Sequence, residues 1–166
     1  MLLFIQFIYY SFVRPAELRR LKIKNIQDGK MLIEAYESKG GRGEYVRIPP
    51  PLEKLIQEYK LREYDPEHFV FSHGGRPGEK GVGRNYFYRK HVKVLKTCKI
   101  QGKYTTYGHK HSGVIELFKL VTDYSQIQVI QQQCRHKTLD QTFGYLRDLG
   151  MVYQSTSDIL EIFTEF

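Results

Sequence analysis

The chain has 166 residues, 41% hydrophobic and 27% charged, with 26 Lys and Arg against 18 Asp and Glu, which suits one domain able to bury its own core. No stretch approaches the about 20 apolar residues that cross a bilayer, and the apolar opening Leu2–Val13 lacks the basic lead and small-residue cleavage site of a signal peptide. Cys98 and Cys134 are the only cysteines, with no C-x-x-C and no Cys/His pair at zinc spacing, so neither a disulfide scaffold nor a structural metal is indicated and the cytosol is the expected compartment.

Leu2–Val13 reads as a buried helix, with a break near Val13–Arg14 and a second helix through Leu21, because Pro15 fits a helix's first turn. Lys30–Glu37 and Tyr45–Ile48 are short strand-like runs separated by Gly40, Gly41, Arg42 and Gly43, the pattern of a hairpin with a glycine-rich loop. Pro49–Pro51 stops the second strand, after which Leu52, Leu55, Ile56 and Tyr59 recur at helical spacing. His73–Gly83, rich in glycine, reads as a loop. Tyr88, Val92 and Leu95 predict the next helical stripe, and Val114, Leu117, Phe118 and Val121 another. A last one, Ile159, Ile162, Phe163 and Phe166, has Ser157 or Asp158 as its cap.

Charge is unevenly placed along these elements. Met1–Gly83 carries +3, Arg84–Val121 carries +8 and Thr122–Phe166 carries −3, so the middle segment holds a surplus equal to that of the whole chain. There Tyr86, Phe87 and Tyr88 interleave with Arg84, Arg89, Lys90, Lys93 and Lys96. Such a stripe suits a polyanion, because each neutralised phosphate releases condensed counterions. The competing readings are a solvated basic helix face and, more weakly, an anionic membrane surface. His68, His73 and His91 have no partners at ligand spacing and read as surface histidines. Most of the 13 tyrosines read as packing residues.

Four stretches offer cations, hydrogen-bond donors and a hydroxyl nucleophile: Arg14-Pro-Ala-Glu17, Ser38-Lys39-Gly40, Tyr107-Gly-His-Lys110-His111, and Arg135-His136 followed nine positions after His136 by Tyr145. Together they resemble the catalytic domain of the tyrosine recombinase, or phage integrase, family over nearly the whole chain. Tyr10 to Leu21 is similar to the family's first box, an arginine with an acidic residue three positions on before a Leu-rich helix. Glu37-Ser-Lys39, with Val46-Arg-Ile-Pro49 closing the hairpin, resembles the segment that delivers the family's lysine. Tyr107 to Ser112 resembles the box usually read as His-x-x-Arg-His-Thr, and Arg135 to Leu146 the closing box with its Thr-x-x-Tyr setting. Two departures stand out: Tyr107 replaces the usual His and Lys110 the usual Arg. A compact ammonium lacks the two-pronged contact of guanidinium, and a phenol with a pKa near ~10 is a poor proton shuttle at neutral pH. Similar variants resemble integrases of Bacteroides-type mobile elements.

The resemblance implies an α+β fold, mainly α-helical with a small antiparallel β-sheet near the N-terminus. It also implies a site-specific recombinase that cleaves and rejoins DNA through a 3′-phosphotyrosyl intermediate, in integration and recombination of a mobile element. Tyr145 is then the nucleophile, Arg14, Lys110, His136 and Tyr107 meet the charge on the non-bridging oxygens, and Lys39 protonates the departing 5′-oxygen. Arg42 is an alternative reaching cation. Glu17 and His111 support the site from behind, and Arg84, Arg89, Lys90 and Lys93 face DNA through its phosphates. With cations from side chains, neither a metal, magnesium included, nor a small-molecule cofactor is expected.

The partners expected are double-stranded DNA and further copies of the chain, as a tetramer on DNA, with no membrane; the expected location is the bacterial cytoplasm, associated with the nucleoid. Residues 1–166 read as a single catalytic domain, a fragment without the family's N-terminal core-binding or arm-binding domain, whose helix at 157–166 is exchanged between protomers. The alternatives are a catalytically impaired DNA-binding domain of the same ancestry and a basic helical adaptor for protein or RNA.

Overall fold

The computed structural model describes residues 1–35 and 43–151, and contacts divide the chain into two units, Met1–Gly113 and Val114–Phe166.

The first unit opens with α1 (Leu2–Ser11), which buries Phe4, Phe7, Ile8 and Ser11. The Ser11 hydroxyl satisfies itself within the helix by donating to the Phe7 carbonyl at 2.6 Å. Phe12 ends α1 in the left-handed conformation (φ 58°), with its N–H bonded to the Ile8 carbonyl, a left-handed helix ending usually reserved for glycine. The chain then turns into α2 (Pro15–Leu18), where Pro15 opens the helix as expected and Arg14 holds the N-cap position. This helix is shorter than the sequence suggests. It stops at Leu18 because the Arg20 and Leu21 N–H groups bond three residues back, to the Glu17 and Leu18 carbonyls, and tighten the turn.

The two strands, β1 (Lys30–Ile33) and β2 (Glu44–Arg47), pair antiparallel with Met31 opposite Val46 and Leu32 opposite Tyr45. Alternation puts Met31, Ile33 and Val46 into the core. β1 is shorter than the predicted run to Glu37; Tyr36 to Arg42, including Lys39 and all of the expected loop but Gly43, lie outside the described residues. α3 (Pro50–Glu58) starts on Pro50 and Pro51 and buries Leu52 and Ile56, while Tyr59, predicted on the same stripe, ends the helix and is exposed. The glycine-rich segment that follows is a loop, pinned by bridges pairing Phe69 with Gly78 and Ser72 with Gly81.

α4 (Tyr86–Thr97) departs from its predicted stripe. Its buried residues are Phe87 and His91, whereas Tyr88 is 54% exposed. The reason is aromatic packing: Phe87 stacks on Phe4 of α1, ring centroids 3.6 Å apart, and Phe71 meets both rings edge-on at 5.1 and 5.9 Å. Once Phe87 is committed to the core, the helical period brings His91 in behind it and turns Tyr88 outward.

α5 (Gly108–Phe118) begins in this unit. A Cβ on Gly113 would overlap the backbone carbonyl of Tyr9 in α1 and sit 2.9 Å from the Phe12 ring. The two helices approach so closely there that only glycine fits.

In the second unit, α5 continues with Val114 buried. α6 (Ile127–Cys134) buries Ile127, Ile130 and Cys134, and α7 (Leu139–Asp148) packs beside it with Thr142 and Leu146 buried. Tyr124 and Phe143 stack at 5.5 Å. The predicted helix at 157–166 lies outside the described residues. Among the described residues no helix is long and apolar enough to cross a membrane.

Gly113→Ala should therefore destabilise the fold by about 1–3 kcal/mol or more through overpacking. Gly144→Ala is the control: an added Cβ there meets nothing within 4 Å, and alanine favours helix by about 0.8–1.0 kcal/mol. Urea denaturation should move the two midpoints in opposite directions.

Candidate active site

In the first unit, the turn at Phe12 sets Arg14 in extended conformation at the start of α2. One carboxylate then serves two donors: Glu17 Oε1 accepts from the Arg14 guanidinium at 3.1 Å, and Glu17 Oε2 accepts from the Arg14 backbone N–H at 3.2 Å. Arg14 thus helps cap its own helix through Glu17 while its half-exposed guanidinium keeps donors to spare. Glu17 also lines a small cavity with Arg20, Asn25, Leu32, Glu34 and Ala35. β1 leaves the sheet through Glu34 and Ala35, and Asn25 Nδ2 donates to Glu34 Oε1 at 3.2 Å. Glu34 and Ala35 therefore lie close to Glu17.

The third stretch forms the first turn of α5. The Thr105 hydroxyl and carbonyl both accept from the Gly108 N–H, at 3.3 and 3.1 Å, and start the helix. Lys110 is 1% exposed, a burial that lysine tolerates only where something compensates its charge. Its Nζ lies 5.9 Å from the centre of the Tyr107 ring, within cation–π range. His111 packs edge-on against the same ring at 4.8 Å. Burial, and then the Lys110 charge, hold the His111 imidazole below its usual pKa. Tyr107, Lys110 and His111 thus form one cluster, as the spacing implies.

The second unit assembles the closing box. α6 ends at Arg135 in the left-handed conformation, φ 60°. The next residue, His136, is tied back by its own N–H to the Gln131 carbonyl at 3.0 Å and by its carbonyl, which accepts from Gln131 Nε2 at 3.3 Å. Thr138 caps α7 by accepting from the Gln141 N–H, and Gln141 Oε1 accepts from the N–H of Lys137, the residue before the cap, at 2.9 Å. His136 Nδ1 lies 3.0 Å from the Thr142 hydroxyl. Its ring stands edge-on to Tyr145, one turn further along α7, with centroids 5.4 Å apart. A chain reversal and a capped helix thus bring His136 against Tyr145.

Arg84, Arg89, Lys90 and Lys93 are all exposed at the start and on the outer face of α4, with Lys90 Nζ 4.7 Å from the Tyr86 ring centre. His91 corrects the sequence reading of a surface histidine: it is 3% exposed, and its Nε2 lies 3.3 Å from Nε2 of His109. The two residues are 18 positions apart on different helices, a separation that no ligand-spacing rule captures. Thr142 is the other omission. It is the threonine of the quoted Thr-x-x-Tyr setting, to which the sequence assigns no role, and its hydroxyl lies 3.0 Å from His136 Nδ1.

Among the described residues no three His, Cys, Asp or Glu side chains cluster as metal ligands. The described elements are an arginine on a turn, a buried lysine and a histidine beside a tyrosine, in a helical fold with one small hairpin. No family profile matches the chain. It is 27% identical over 147 residues to the tyrosine recombinase XerA of Pyrococcus furiosus, covering 87% of this chain and 49% of that protein. It is also 27% identical over 139 residues to y4eF of Sinorhizobium fredii, described as an integrase/recombinase, covering 84% of this chain and 53% of that one. The chain spans about half the length of the curated relatives it matches.

Among solved structures, a crystal structure of XerA recombinase superposes with a TM-score of 0.63 at 22% identity, covering 96% of this chain and 55% of that one. The Tn1549 transposon integrase, in complex with circular intermediate DNA, gives 0.67 at 12% identity, covering 98% and 58%. The fold is that of a tyrosine recombinase catalytic domain. In sequence the chain is similar to tyrosine recombinases and integrases.

Burial lowers the pKa of His91 and of His109, the latter also through His91. These imidazoles take up protons less readily when folded than when unfolded. The stability they contribute is present above the unfolded pKa, near ~6.5, and is lost as pH falls below it. The urea midpoint should drop between pH 7.5 and 5.5, and His109→Gln should flatten the drop.

Proposed function

We propose that this chain is the DNA-cleaving and rejoining part of a site-specific recombinase acting through a 3′-phosphotyrosyl intermediate. The observation that carries the proposal is His136 held against Tyr145 by the turn after α6 and the capped start of α7. Similarity to tyrosine recombinases and integrases and the two cationic clusters of the first unit support it.

In this reading the Tyr145 phenolic oxygen attacks a phosphodiester phosphorus and the bond to the 5′-oxygen breaks. The proton lost by the phenol is balanced by the one gained by the leaving hydroxyl, which Lys39 supplies. Attack by the 5′-hydroxyl of another strand reverses the step, so the energy of the phosphodiester is kept in the protein–DNA bond. Negative charge on the non-bridging oxygens is met by Arg14, Lys110, His136 and a hydrogen bond from Tyr107. Glu17 holds Arg14, and His111 braces Tyr107.

Lys110 in place of the usual arginine supplies a point charge without the planar fork. Its burial supports an active variant, because a side chain packed into the fold needs less of the orientation that two-pronged contacts otherwise provide. Arg84, Arg89, Lys90 and Lys93 bind the phosphates of double-stranded DNA from α4. A tetramer on DNA, recombination of a mobile element, a Bacteroides-type variant site and a cytoplasmic, nucleoid-associated location complete the reading, with residues 157–166 exchanged between protomers.

A nicked duplex labelled next to the cleavage position tests it. The chain should form a covalent protein–DNA adduct in EDTA, and Tyr145→Phe should form none; an adduct with the Phe variant overturns the assignment. Lys110→Ala should lose about 100- to 1000-fold in rate, the typical cost of one donor to a developing oxyanion, while Lys110→Arg retains or raises it. Adduct yield should fall steeply with added salt.

A further inference from the structure

We infer that Thr142 is a positioning residue that fixes the ring proton of His136 on Nδ1 and so turns Nε2 toward the reaction. The inference rests on the reading of His136 as a donor to the phosphate.

Thr142 is fully buried on α7. Its hydroxyl has one proton to give, and the Thr138 carbonyl, one turn back at 3.4 Å, is placed to take it. The Thr142 oxygen then has only lone pairs left for His136 Nδ1 at 3.0 Å, so the bond forms when that nitrogen carries the hydrogen. The His136 backbone is held at both its N–H and its carbonyl by Gln131, and Tyr145 closes one side of the ring. The imidazole therefore has a fixed axis, with Nδ1 directed at α7 and Nε2 at its far end.

The chemical consequence is specific. A neutral imidazole with its hydrogen on Nδ1 has a lone pair on Nε2 and cannot donate from it. To hydrogen-bond a non-bridging phosphate oxygen, His136 must carry a second proton and act as imidazolium, adding a full positive charge where the transition state is most negative. Without the Thr142 oxygen, that acceptor for Nδ1–H is lost, and the neutral ring can place its hydrogen on Nε2 and donate without that charge. Thr142 thus selects a charged donor over a neutral one, as the partner of a catalytic histidine selects the tautomer in other enzymes.

Nitrogen-15 NMR of the full chain, at a pH where the ring is neutral, reads the tautomer directly. The unmodified protein should show a protonated Nδ1 and an unprotonated Nε2 for His136. Thr142→Val, of nearly the same shape, should move the hydrogen to Nε2 and slow adduct formation at least about tenfold. Thr142→Ser, which keeps the oxygen, should restore both. A protonated Nε2 in the unmodified protein, or an unchanged tautomer in the Val variant, overturns the inference. Absence of any adduct from the unmodified chain counts against the recombinase reading instead, because the tautomer is measured without DNA.

Discussion

The contact on which the candidate site of the first unit depends is the approach of α5 to α1 at Gly113. A backbone carbonyl of one helix sits where any side chain on the other would have to go, so the register between the two helices is set by exclusion as well as attraction. That register matters because each helix carries one cationic box at its end. α1 stops at Phe12 and hands the chain to Arg14, while α5 starts at Gly108 and presents Tyr107, Lys110 and His111 in its first turn. The ring of Phe12 also touches the space above Gly113. The residue that breaks α1 is therefore the same one that packs on α5.

The two departures from the usual family pattern acquire a common explanation. Tyr107 and Lys110 are one helical turn apart and lie within cation–π range, and His111 packs edge-on against the same phenol ring. In the proposed reaction, an arginine would orient itself by its own forked geometry. A lysine has no such fork and depends on its surroundings for orientation. Here those surroundings are a nearly complete enclosure and an aromatic ring. The second unit uses another device for the same purpose. His136 is held by backbone hydrogen bonds to Gln131 and by a buried threonine, and Tyr145 follows Thr142 by one turn of a capped helix. Both sets of side chains are positioned on rigid elements by packing and capping.

Much of the fold was legible along the chain because its cues are local. Pro15 and Pro50 open helices where proline can, the hairpin follows from two short runs around glycines, and the predicted stripes place Leu52 and Ile56 of α3 and Val114 of α5 in the interior. The failures are informative. On α4 both Tyr88 and Phe87 are credible core residues, and periodicity alone selects the wrong one; the choice is made by the stack of Phe87 on Phe4, a partner more than eighty positions away. The same rotation buries His91 and brings it to His109.

What the sequence determined by itself was the resemblance to tyrosine recombinases, the order of the elements, and the pairs whose members lie within about one turn of each other, such as Arg14 with Glu17 and Tyr107 with Lys110. Short-range geometry makes these neighbours in almost any packing of a helix and its caps. Only the tertiary structure decided that Lys110 is enclosed, that Gly113 is irreplaceable, and which face of α4 is left for its basic residues. These outcomes depend on which surfaces meet across long stretches of chain, and close packing admits one answer there that no local spacing encodes.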